Sequence, residues 1–68
     1  MKLHELLSCY EGDDEYLSNK ATVYIQEHVY MNVESVYEGS ANKVPNNLMN
    51  KNVWKFYILS GKLNIVVE

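Results

Sequence analysis

A chain of 68 residues with a single cysteine, no arginine and a formal charge of −3 has room for one small domain, 1–68, and excludes an internal disulfide, because Cys9 has nothing to pair with. Domains of this length bury only about 60% of the surface their unfolded chain exposes, so their stability is marginal without a partner. Six lysines, no arginine and a net negative charge make the chain a poor candidate for duplex-DNA readout, which takes its affinity from many phosphate contacts and its base recognition largely from bidentate arginine.

The charge is split along the chain. Residues 1–38 set Lys2 and Lys20 against eight carboxylates, net −6, whereas 39–68 carry Lys43, Lys51, Lys55 and Lys62 against Glu68, net +3. The opening Met1-Lys2-Leu3-His4-Glu5-Leu6-Leu7 is broken by His4 and Glu5, so it lacks the apolar run of a signal peptide. No stretch approaches the roughly 20 apolar residues of a membrane span. A soluble, cytoplasmic protein is expected.

In chain order, Leu3, Leu6, Leu7 and Tyr10 recur at i, i+3, i+4 and i+7, the stripe of an amphipathic helix. The spacing predicts a helix over about 2–11, ended by Gly12 in a left-handed cap. Glu11 to Asn19 reads as a polar loop. From Lys20 the period changes to two: Ala21, Val23 and Ile25 alternate with Thr22, Tyr24 and Gln26, a half-buried strand. A connection near Glu27-His28 leads to a second strand over 29–38, ended by Gly39. Its inward face is ambiguous, since Met31, Val33 and Tyr37 favour one register and Val36 the other; a β-bulge reconciles them. Pro45 then opens a short helix or single turn over 44–49, with Val44, Leu48 and Met49 inward.

The closing residues carry the sharpest pattern. A two-residue loop at Ser60-Gly61 sets Ile58 opposite Leu63, Phe56 opposite Ile65 and Trp54 opposite Val67. All three pairs are apolar and share one face. The other face carries Val53, Lys55 and Tyr57 against Glu68, Val66 and Asn64. The order α-β-β-α(short)-β-β predicts an α+β fold, with the N-terminal helix packed on a mostly antiparallel four-stranded sheet.

The segments Met1-Lys2-Leu3 with Glu5-Leu6-Leu7, Tyr37-Glu38-Gly39, Val44-Pro45 with Leu48, Val53, and Gly61-Lys62-Leu63-Asn64-Ile65-Val66-Val67 together give a sequence that resembles short uncharacterised phage and prophage proteins of low-GC Gram-positive bacteria. That resemblance implies no assigned activity and no functional residues. Tyr10-Glu11-Gly12 repeats Tyr37-Glu38-Gly39, but the flanks differ and no internal repeat follows.

No constellation carries catalysis. Cys9 lies off the leucine stripe and five residues from His4, with no base to activate it and nothing to orient such a base. His4, His28 and Cys9 match no zinc spacing. Glu11-Gly12-Asp13-Asp14-Glu15 lacks the alternating oxygen ligands of a calcium loop. An enzyme, a metal site, a cofactor and a small-molecule substrate are therefore not expected.

What stands out is aromatic content: six tyrosines and one tryptophan. Tyr24, Val53, Lys55, Tyr57 and Val66 fall on the sheet face away from the helix and form a candidate interface, more apolar than a face left in water. Two classes of function follow. One is a small protein-interaction module of phage or mobile-element origin that docks to a second copy or to a host protein. The other binds single-stranded nucleic acid through the lysines and aromatics of the second half, a mode that needs a positive groove beside the stacking rings.

Overall fold

The computed structural model describes residues 1–9 and 22–68. Helix α1 (Leu3–Cys9) is followed by strands β1 (Thr22–Val29) and β2 (Asn32–Ser40), a 3-10 turn at Ala41–Lys43, helix α2 (Asn46–Met49), and strands β3 (Val53–Leu59) and β4 (Lys62–Val67). The α+β class and the order of elements are those the sequence predicts. The sheet runs β2-β1-β4-β3. Its two hairpins are antiparallel, and β1 and β4 join them as a parallel central pair.

The core lies between one face of this sheet and the helices. Leu3 and Leu6 from α1, with Val44 and Leu48 around α2, meet Val23 and Ile25 of β1 and Leu63, Ile65 and Val67 of β4. These β-branched and leucine side chains alternate inward at period two, and the two central strands carry the whole sheet side of the buried cluster. Tyr10 and Gly12, expected to extend and cap α1, lie outside the described residues, as does the acidic loop.

At two turns α1 cannot hold itself together, so its start is pinned. The Glu5 carboxylate accepts from the Lys2 main-chain N–H at 2.7 Å, half of a capping box. That bond, made to the charged form, holds the Glu5 pKa below its ordinary value. It therefore supports the helix above the usual carboxylate range and is lost as pH falls through the lowered pKa. Further back, Leu3 N–H donates to the Lys51 carbonyl at 2.9 Å and Val53 N–H donates to the Met1 carbonyl at 2.8 Å. The first three residues thus pair with the chain entering β3.

Two departures from simple alternation shape the sheet. In β2 the register shifts between Tyr37, opposite Ile25, and Ser35, opposite Gln26. Val36 is the extra residue, and both Val36 and Tyr37 pack on the core, as two bulged residues facing one partner do. Val33 does not go inward with Tyr37: it lies opposite His28 on the outer face. The first hairpin also turns later than expected. β1 continues through Glu27 and His28, and Val29 pairs with Asn32 across a Tyr30-Met31 loop.

The second departure is in β3. Ile58 faces Leu63 and Phe56 faces Ile65 as expected, but Val53 rather than Trp54 stands opposite Val67. The register shifts between Val53 and Lys55, so Val53 packs on the core and the expected Trp54–Val67 pair does not form. Unbroken alternation cannot put Val53 and Phe56 on the same side; one extra residue can. At Ser60-Gly61 both residues have positive φ, 55° and 75°, the pattern of a type I′ turn.

Glu27, on the inner face, stands directly opposite Glu34, and Lys51 from the α2–β3 connection forms an ion pair with Glu27. Both members are only partly exposed, which lifts the pair above an ordinary surface contact. Lys51→Ala is expected to lower stability by about 1 kcal/mol, because it leaves two carboxylates facing each other. Adding Glu27→Gln should restore part of that loss. Urea unfolding of the single and double variants measures both.

Candidate functional site

The face of the sheet away from the helices is better covered than its sequence suggests. Across the middle, Tyr24 of β1 and Tyr57 of β3 both pair with Asn64 of β4. Asn64 is buried and donates its side-chain amide to the Lys62 carbonyl at 3.1 Å. One step along, Gln26 and Lys55 flank Val66, which is 1% exposed. The β3 bulge explains this burial. It turns Trp54 outward, where its ring meets that of His28 at a centroid distance of 4.7 Å. His28 belongs to β1 and Trp54 to β3, so the two rings reach each other across β4. The Lys55 ammonium lies 4.9 Å from the indole centroid, a cation–π contact. Lys62 and Glu38 close the other end of the face with a 2.8 Å ion pair.

The five residues expected at an interface are therefore divided. Val66 is buried under its neighbours and Val53 has turned to the core side, so neither is presented to a partner. Tyr24 is half-buried. Lys55 and Tyr57 remain exposed, and both belong to β3.

Strand β3 is the conspicuous surface. It is an edge strand, and among the described residues β4 is its one ladder partner, with a single further bond from Val53 N–H to the Met1 carbonyl. Trp54, Phe56, Tyr57, Ile58 and Leu59 are 40–63% exposed. Phe56 and Ile58 lie on the helix side, opposite Ile65 and Leu63, yet they are not enclosed as the sequence pattern predicts. Among the described residues, helix α1 sets its two buried leucines on the central strands and does not cover β3. An apolar groove of about 270 Å³ results, lined by Leu6, Cys9, Phe56, Tyr57, Ile58 and Leu63. Within the described residues α1 runs from Leu3 to Cys9 and sits over the central strands, and pairing rules alone could not reveal that.

The two edges of the sheet contrast. β2 carries Glu34 and Glu38 and a bulge at Val36, the devices that natural edge strands use against unwanted pairing. β3 from Lys55 to Leu59 has regular register and one charge. Other chemistry is sparse. Cys9 is an exposed thiol at the end of α1. His28 is engaged with Trp54 and does not approach Cys9 or His4 as a ligand set: among the described residues no three His, Cys, Asp or Glu side chains gather. No described helix is long and apolar enough to cross a membrane. No family model, no curated protein and no solved structure matches the chain.

Proposed function

We propose that this chain is a small protein-interaction module, encoded by a phage or other mobile element, that acts by docking to itself or to a host protein through strand β3. The observation that carries the reading is the exposure of five large apolar residues, Trp54 and Phe56 to Leu59, on an edge strand whose register is regular from Lys55 onward and which carries a single charge. Contiguous exposed apolar surface on a small domain marks a contact site more often than any other role. An open strand edge adds main-chain donors and acceptors that a partner strand can take up. The resemblance of the opening and closing segments to short phage proteins supports the mobile-element origin.

The alternative, stacking of single-stranded nucleic acid, is less well supported. The tryptophan face is already occupied by Lys55 and the ring is packed against His28, and Lys62 is committed to Glu38.

The test uses the intact chain as bait in nuclease-treated lysate of a low-GC Gram-positive host, beside a labelled single-stranded oligonucleotide titrated over a range of salt. Self-association or capture of a host protein, abolished by Ile58→Lys and tolerant of salt, supports the reading. Oligonucleotide binding that weakens steeply with salt, or no association of any kind, overturns it.

A further inference from the structure

Resting on that reading, we infer that the occupant of the β3 edge is a second copy of this chain, docked antiparallel across a two-fold axis at Tyr57 to give one continuous eight-stranded sheet.

The main-chain alternation along β3 defines which groups are free. Val53 N–H points away from β4, since it donates to the Met1 carbonyl at 2.8 Å, while the Asn52 carbonyl points toward β4 and accepts from Glu68 N–H at 2.9 Å. From the other end, the two-residue turn makes Leu59 and Lys62 a hydrogen-bonded pair. Counting back by alternation, Tyr57 and Lys55 bond to β4, and the main-chain groups of Phe56 and Ile58 face outward. Residues 1–3 satisfy the first outward position, Val53. Among the described residues, nothing takes up the outward donor and acceptor of Phe56 and of Ile58.

An antiparallel match centred on Tyr57 uses all of these groups. Phe56 of one copy then exchanges hydrogen bonds with Ile58 of the other, twice over. On the helix side, the same pairing sets each Phe56 beside the neighbouring copy's Ile58, at the mouth of the groove between Leu6 and Leu63. On the outer side Tyr57 meets Tyr57. Lys55 falls opposite Leu59, so no like charges are brought together.

The other edge does not compete. Pairing β3 with β2 of another copy meets Glu34, Glu38 and the Val36 bulge. Such a contact would also be head-to-tail rather than self-complementary, and could not close at two. Self-pairing of β3 is isologous and closes at two. Its area also suffices. Aromatic side chains bury about 150–250 Å² each when fully covered. Three aromatic side chains and the smaller Ile58 and Leu59, each about half exposed, therefore supply at most on the order of 500 Å² per copy, and the total reaches about 1,000 Å², the low end of specific interfaces.

Sedimentation equilibrium of the intact chain from low to high micromolar, with amide hydrogen exchange at the same concentrations, tests the inference. The expected result is a dimer mass, with Phe56 and Ile58 amides protected in proportion to the dimer present. Ile58→Lys, at a site open enough to leave the monomer folded, should weaken association at least about tenfold. Ser35→Lys, the same charge change on β2, should leave it unchanged. A monomer at every concentration overturns the inference. So does a dimer in which Phe56 and Ile58 amides still exchange freely and Ile58→Lys has no effect. A monomer that captures a host protein through β3 overturns self-pairing alone and leaves the interaction-module reading standing.

Discussion

Ile65→Ala is expected to unfold most of the population at room temperature, while Phe56→Ala, the residue directly opposite it, should cost only about 1 kcal/mol. Ile65 is 0% exposed in the middle of a central strand, and Phe56 is 48% exposed on the edge. Emptying a closed site removes the transfer energy of the side chain and leaves a cavity, about 2–5 kcal/mol for isoleucine to alanine. The whole core of a domain this size rarely supplies more than about 3–5 kcal/mol. Phe56 has no closed site to empty. Half of its ring is already wet, and full burial of such a side chain is worth about 1.5–3 kcal/mol. Chemical denaturation at low micromolar concentration, where dimer contributes least, compares the two. If Phe56→Ala proved as damaging as Ile65→Ala, the monomer core would have to extend over β3, and the exposed edge on which the proposed function rests would not exist.

The same pair shows what the sequence could and could not reveal. Register was legible: the Ser60-Gly61 turn and the apolar matches Ile58–Leu63 and Phe56–Ile65 are local, and both hairpin strands fit them. The stripe of Leu3, Leu6 and Leu7 and the Val44, Leu48, Met49 turn were legible for the same reason, since each is a periodic pattern within a few residues. Depth of burial was not. Whether Phe56 is enclosed depends on which strand the helix sits over, and that follows from the parallel pairing of β1 with β4, a contact between segments about 40 residues apart in sequence. Once β4 is central, even its outward residues Asn64 and Val66 are buried by side chains leaning in from both neighbours, which is why Val66 looked like an interface residue and is not one. The bulge at Trp54 was hidden too. Val53 bonds there to Met1 at the far end of the chain, whereas the unbroken alternation of Trp54, Phe56 and Ile58 pointed to the other register, with Trp54 inward and Val53 outward.

Gly39→Ala is the second substitution expected to have a large effect, at about 2 kcal/mol, and its origin can be isolated. Gly39 lies opposite Val23 near the end of β2, with φ at +157°. The Tyr37 side chain folds over it and donates its hydroxyl hydrogen to the Ser40 carbonyl at 2.6 Å. A Cβ on residue 39 would stand 2.9 Å from the Tyr37 hydroxyl oxygen and 3.3 Å from the ring carbon bearing it. The ring cannot retreat without giving up that hydrogen bond and its packing on the core. The Tyr-Glu-Gly sequence at 37–39 is thus a covered glycine: an aromatic ring two residues earlier on the same face shields a backbone that has no side chain of its own. Tyr37→Phe alone should cost about 1 kcal/mol for the lost hydrogen bond. The two substitutions should not add, because removing the hydroxyl removes the atom that the new methyl group strikes. In the phenylalanine background, Gly39→Ala is expected to cost at least about 0.5 kcal/mol less than in the parent chain, a coupling of the size seen between residues in direct contact. The residual penalty is what the backbone angle alone imposes. Additive costs across the cycle, measured by denaturant unfolding of all four proteins, would show that the hydroxyl is not what excludes a side chain at position 39.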